Sequence, residues 1–305
     1  MTTLQVVRTV ADLRAALEPN RREGGLIGLV PTMGALHAGH VSLIGEARNR
    51  SDLVVMSLFV NPAQFGEGED LQAYPRDEAH DLATATDAGV NLVFAPPVEE
   101  VYPAGFSTHV QVEGLTSVLC GDPQRRGAQH FRGVTTVVAK LLNMARPDFV
   151  FFGQKDAQQA IVVRRMTRDL DFATEVVVIP TVREADGLAL SSRNTYLEPP
   201  ERERAAALNR ALSAASSART NGVPAALRAA SDVLADAGIE PEYLEARYAE
   251  DLEPAKSFNG RPVLVAVAAR VGRARLIDNV IVESSDDPTQ HRHMPLLRQR
   301  RSTST

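Results

Sequence analysis

Between Leu26 and Ile179 this chain alternates continuous apolar runs with amphipathic segments, and that alternation limits the folds open to it. The runs Leu26 to Val30, Leu53 to Val60, Asn91 to Phe94, Phe149 to Phe152 and Val176 to Ile179 lack the in-and-out pattern of a half-exposed strand. Each therefore reads as a strand covered on both faces. Between them, Val41 to Arg50, Asp77 to Ala88, Val134 to Ala145 and Ala157 to Leu170 suit helices with one apolar stripe. The pattern predicts an α/β fold, a doubly wound (Rossmann-like) parallel sheet that binds ligands at the carboxyl ends of its strands. After Thr181 the character changes. Glu201 to Arg219 and Ala225 to Ala237 read as alanine-rich helices, and Tyr243 to Arg247 and Val263 to Ala269 as strands, which predicts a second, smaller α+β domain. The expected division is 1–181 for the sheet domain, 182–283 for the smaller one, and 284–305 for a disordered tail without apolar periodicity.

Composition narrows the function. Hydrophobic residues make up 44% and charged residues 23% of the chain, as in ordinary globular proteins. A net charge of −5 gives no electrostatic footprint for nucleic acid. The single cysteine rules out an internal disulfide framework and suits a reducing cytoplasm. The opening residues lack a signal-peptide pattern, and no apolar run approaches the roughly 18–20 residues of a membrane helix.

Three loops that follow strands carry polar groups. The first is Pro31-Thr32-Met33-Gly34-Ala35-Leu36-His37-Ala38-Gly39-His40. A strand feeding a glycine turn and then a helix gathers backbone N–H groups and the positive helix end at one point, which favours an anion. Gly39 removes a side chain where a phosphate needs close approach, and His37 and His40 supply donors that strengthen on protonation. Two histidines three apart also fit a zinc site, but no third ligand cluster accompanies them. The second loop, Asn61-Pro62-Ala63-Gln64-Phe65-Gly66, offers two amides suited to a small neutral or carboxylate ligand. The third, Gly153-Gln154-Lys155-Asp156, offers a point charge for phosphate and a carboxylate that either positions hydrated Mg2+ or caps the helix. Gln159 lies one turn further along. Beyond the sheet, Asp186-Gly187 suits a tight turn, and Ser191, Ser192 and Arg193 could grip a triphosphate from a mobile loop or simply cap a helix and pair at the surface. No Walker loop is present.

Taken in order, PTMGALHAGH, NPAQFGEGEDLQAYPRD, HFRGVTTVVAKLLN, FFGQKDAQQ and PTVREADGLALSSRN closely resemble the motifs of the pantoate–β-alanine ligase family, over about residues 4–283. That family belongs to the nucleotidyltransferases that share the H-x-G-H motif with class I aminoacyl-tRNA synthetases. The resemblance implies ATP-dependent condensation of (R)-pantoate with β-alanine through pantoyl adenylate, releasing AMP and pyrophosphate. It implies ATP contacts at Met33, Gly34, Ala35, Leu36, His37, Ala38, Gly39 and His40, at Gly153, Gln154, Lys155 and Asp156, and at Val182, Leu190, Ser191, Ser192 and Arg193. Pantoate and β-alanine fall to Gln64, Gln159 and Asn61, and catalysis to His40 (as proton donor), His37 and Lys155. Mg2+ arrives chiefly on the ATP phosphates, with no protein metal site. A homodimer built through the first domain by strand residues after Val54 is also implied, with no nucleic-acid or membrane partner. The chain departs from the family's Glu-Lys-Asp-Tyr at Gln154 and Ala157. Three rival readings share parts of this pattern. An adenylyltransferase would prefer a basic acceptor pocket, an aminoacyl-tRNA synthetase would need an RNA surface, and a non-catalytic nucleotide binder would need only the motif residues.

Overall fold

The computed structural model describes residues 4–66, 71, 72 and 74–283. Residues 284–305, expected as a tail, lie outside the described residues. Strands β1 (Gln5–Val7), β2 (Ile27–Thr32), β3 (Leu53–Leu58), β4 (Leu92–Phe94), β5 (Phe149–Gly153) and β6 (Glu175–Ile179) form one parallel sheet in the order β1-β4-β3-β2-β5-β6. The chain winds outward from β2 in one direction through β3 and β4, then returns to place β5 on the other side of β2. That reversal between β2 and β5 opens a crevice at their carboxyl ends, the usual ligand position in such sheets.

Alternate strand residues serve the two faces, which is why the runs are continuously apolar. Leu29, Val55, Phe94 and Val150 pack against helices α1 (Val10–Arg22), α5 (Gly127–Ala145) and α6 (Ala157–Asp169). Val30, Val54, Met56 and Phe151 pack against α2 (Ala38–Arg50) and α3 (Glu78–Ala88). A short helix, α4 (Val98–Val101), follows β4. The residues after Val54 are therefore interior to the sheet, with Val54, Val55 and Met56 at most 1% exposed between β2 and β4. Of the strand residues after Val54, Leu58 and Val60 are the partly exposed ones.

The C-terminal part holds helices α7 (Pro199–Ala205), α8 (Ala207–Ser217) and α9 (Val223–Asp236) and an antiparallel sheet of β7 (Pro241–Tyr248), β8 (Val263–Val271) and β9 (Ala274–Val282). The single helix expected over 201–219 is divided at Ala206. Strand β8 is buried on both faces. Val263, Val265, Val267 and Ala269 pack on α8 and α9, whereas Leu264, Ala266 and Ala268 pack on Phe131, Ala157, Ile161 and Val162 of the first sheet's helices. Ala157, where the family has an aromatic, thus sits in the junction between the two sheets, 5% exposed.

Candidate active site

The histidine loop is held by its own side chains. His37 caps α2, its Nδ1 accepting the Gly39 N–H at 3.1 Å, while His40 Nδ1 accepts the His37 N–H at 3.3 Å. The rings stack loosely, 4.2 Å between centroids. With each Nδ1 used as an acceptor, each neutral ring carries its proton on Nε2, its one remaining donor. Burial, followed by the His37 ring and the charge on Lys155, lowers the His40 pKa to about 3. His37 is lowered as well, by burial and then by Lys155. Both rings are therefore neutral near pH 7 and offer Nε2–H as a donor, without the protonation that would strengthen it.

The preceding turn has a second support that the sequence reading missed. Gly34 and Ala35 lie in the left-handed region, at φ 88° and 52°, so that consecutive N–H groups converge on one point. The anion there is a side chain. Asp81 of α3, 1% exposed, accepts from Ala35 N at 3.0 Å and Leu36 N at 2.8 Å. A Cβ on Gly34 would stand 2.7 Å from Asp81 Oδ2. These N–H groups are thus occupied, and the ones expected to face a phosphate are mostly satisfied within the protein. The one available signal was an acidic residue in the predicted helix over 77–88.

A cavity of about 270 Å3 opens between the ends of β2 and β5. Met33, His37, Gly39 and His40 line one side, Gly153, Lys155, Asp156 and Gln159 another, and Val182, Leu190, Ser191, Ser192 and Arg193 a third. Asn61, Gln64, Arg126 and His130 add to the lining. Gly34, Ala35, Leu36, Ala38 and Gln154 stand outside its lining: the first three shape the loop behind, and the Gln154 side chain turns toward Asn279 of β9. Asp156 makes no capping bond to α6, which leaves its carboxylate at the wall beside Lys155 Nζ, 3.8 Å away. Ser191 does cap the short turn Ser192–Tyr196, accepting from Arg193 N, and still borders the cavity. Two buried hydroxyls of the lining, Ser57 Oγ and Thr181 Oγ1, have no hydrogen-bond partner among the described residues. Such groups are costly unless a ligand satisfies them.

The amides divide into holders and facers. Asn61, 1% exposed, donates to Gln64 Oε1 and Gly133 O at 3.1 Å each and accepts from Tyr102 Oη at 2.8 Å. Burial pushes the Tyr102 hydroxyl pKa up to about 12, so it stays a donor. Asn61 therefore positions Gln64, whose Nε2 rests on the weak acceptor Met33 Sδ at 2.9 Å. Gly133 lets α5 approach this turn, since a Cβ there would overlap the Ala63 carbonyl. Gln159 has no side-chain partner among the described residues, whereas its neighbour Gln158 is committed to Leu115 O, Val118 O and Cys120 N.

A doubly wound sheet with two histidines at the end of one central strand, a lysine at the end of the next, and a serine–serine–arginine strap closing over them defines a nucleotide-binding protein of the H-x-G-H class. The chain belongs to the pantoate-β-alanine ligase family, whose model matches residues 5–281. It is 52% identical to a pantothenate synthetase of Moorella thermoacetica, over 93% of this chain and all of that protein. The crystal structure of pantothenate synthetase from Thermus thermophilus superposes with a TM-score of 0.84 at 49% identity, covering 92% of this chain and 99% of that one. A pantoate-β-alanine ligase from Francisella tularensis, solved with β-γ ATP and β-alanine, superposes with a TM-score of 0.76 at 30% identity, covering 92% of this chain and 98% of that one.

Proposed function

We infer that the crevice between β2 and β5 performs both half-reactions of pantoate–β-alanine ligation. Family membership makes the chain an acid–amine ligase that joins pantoate to β-alanine at the expense of ATP. In our reading a carboxylate oxygen of (R)-pantoate attacks the α-phosphorus and pyrophosphate leaves. The amine of β-alanine then attacks the acyl carbon, AMP departs, and the amine proton is lost. The first step gathers negative charge on the phosphorus oxygens and on pyrophosphate. Lys155 and Arg193 oppose it as cations, and His37, His40, Ser191 and Ser192 as neutral donors. Gln64 and Gln159 orient pantoate beside the nucleotide. The observation that carries this reading is the convergence of these groups from four separate chain segments on one cavity.

Mg2+ enters as part of the MgATP substrate. Among the described residues no group of three or more His, Cys, Asp or Glu side chains could hold a metal, so the phosphates supply most of its ligands and Asp156 is the carboxylate at hand. Residues 182–283 act as the lid, since their strap forms the third wall. A cytoplasmic homodimer fits this reading. AMP release measured with pantoate and β-alanine omitted in turn tests the assignment. Release is expected only with both present, and β-alanine-independent AMP turnover at the full rate would contradict it.

A further inference from the structure

Two polar residues interrupt the apolar pattern of β9, Asp278 and Asn279, and they are only 3% and 5% exposed. Asn279 reaches out of the C-terminal sheet to the turn that carries Lys155. Its Nδ2 donates to the carbonyls of Gln154 at 2.9 Å and Lys155 at 3.0 Å, and its Oδ1 accepts from Gln154 Nε2 at 2.8 Å. Asp278 accepts the Asn279 N–H and holds Arg183 through two bonds of 2.6 and 3.0 Å. Arg183 also donates to Gly187 O, inside the strap that leads to Ser191 and Arg193. Adjacent residues of one strand therefore grip two of the segments that bring cations to the cavity, those of Lys155 and Arg193.

The turn has no comparable support of its own. Neither Gly153 nor Asp156 gives it a side-chain cap, and the carbonyls at 154 and 155 are satisfied from across the interface. The position of the Lys155 ammonium depends on the backbone from which its four-carbon stem springs, and a small rotation there is magnified at Nζ. We infer that Asn279 is a positioning residue for Lys155, fixing that backbone so that the ammonium meets the phosphates. Gln154, where the family has glutamate, supplies the donor that Asn279 Oδ1 requires; a carboxylate in the same place would set its charge against that oxygen. The inference rests on Lys155 contacting phosphate, as proposed above.

A double-mutant cycle tests it, with pantoate-dependent pyrophosphate release measured for wild type, Asn279→Ala, Lys155→Ala and the double variant. Misplacement of one reacting group lowers rates by up to roughly a hundredfold, so Asn279→Ala is expected to lose about tenfold in kcat. Because its effect passes through Lys155, the double variant should be no slower than Lys155→Ala. Gln154→Ala removes only one of the three bonds and keeps the test usable if Asn279→Ala does not fold; a smaller loss, again absorbed by Lys155→Ala, is expected. Losses that multiply in the double variants, or no loss in the single ones, would overturn the role of Asn279 alone. Full activity in Lys155→Ala would overturn the reading of Lys155 and with it that of Asn279.

Discussion

At the scale of single residues, the site depends on which atoms remain available after the protein has satisfied itself. His40 spends Nδ1 on the His37 N–H and keeps Nε2–H for a ligand. Its lowered pKa also ties stability to pH. As pH falls below about 6.5 the unfolded chain takes up a proton that the folded ring refuses until about 3. This contribution is complete above 6.5 and is lost progressively on acidification, at up to about 1.4 kcal/mol per pH unit. Denaturation midpoints between pH 7 and 5 should fall less in His40→Gln than in wild type, and an imidazole NMR titration of His40 near 6.5 would contradict the assignment. Gln159 makes a second case. A lost orienting hydrogen bond costs about 1–3 kcal/mol, so Gln159→Ala should lower kcat/KM for pantoate by up to roughly a hundredfold. ATP affinity should change little, and an unchanged pantoate kcat/KM would place Gln159 outside the site.

At the scale of elements, legibility followed burial. Strands β2 to β6 were readable because both faces are covered and nearly every position is apolar. Strand β1 has three residues, and α1 buries only Leu13 and Leu17 and contains Pro19, so neither gave a strong pattern. Helix α5 begins at Gly127, seven residues before the expected start at Val134, because its first turns carry polar residues that break the apolar stripe, His130 among them lining the cavity. Strand β9 was missed because Asp278 and Asn279 break its apolar rhythm in order to reach the neighbouring segments. The glycine–histidine loop was found by its motif, but its support by Asp81 depends on a helix residue 41 positions beyond His40 and was not visible in local pattern. Asp81→Asn replaces one acceptor oxygen with a donor facing an N–H group, an unpaired buried contact worth about 1–3 kcal/mol. A lower melting temperature together with slower pyrophosphate release is expected. Calorimetry and activity both equal to wild type would show that the loop holds its shape without the carboxylate.

At the scale of the whole molecule, two sheets share one junction, and the Asn279 bonds connect it to the crevice between β2 and β5. The expectation of a doubly wound sheet with a smaller α+β partner describes the architecture, while the mutual packing lay beyond it. A run such as Val263 to Ala269 shows that β8 is buried but not that Leu264, Ala266 and Ala268 face Ile161 and Val162 across the junction. The Asp278–Arg183 pair and the Asn279 bonds lie along the same junction, so the backbone that carries Lys155 depends on how the second sheet is seated.

In our reading this crevice joins pantoate to AMP before the amine of β-alanine attacks. Pantoate labelled with 18O in both carboxylate oxygens tests it directly. If the carboxylate attacks the α-phosphorus, one labelled oxygen bridges carbon and phosphorus in the adenylate and leaves with AMP when the amine attacks. Mass spectrometry should therefore find one 18O in each AMP formed and one in each pantothenate. Unlabelled AMP, with the label in pyrophosphate, inorganic phosphate or water, would contradict the account.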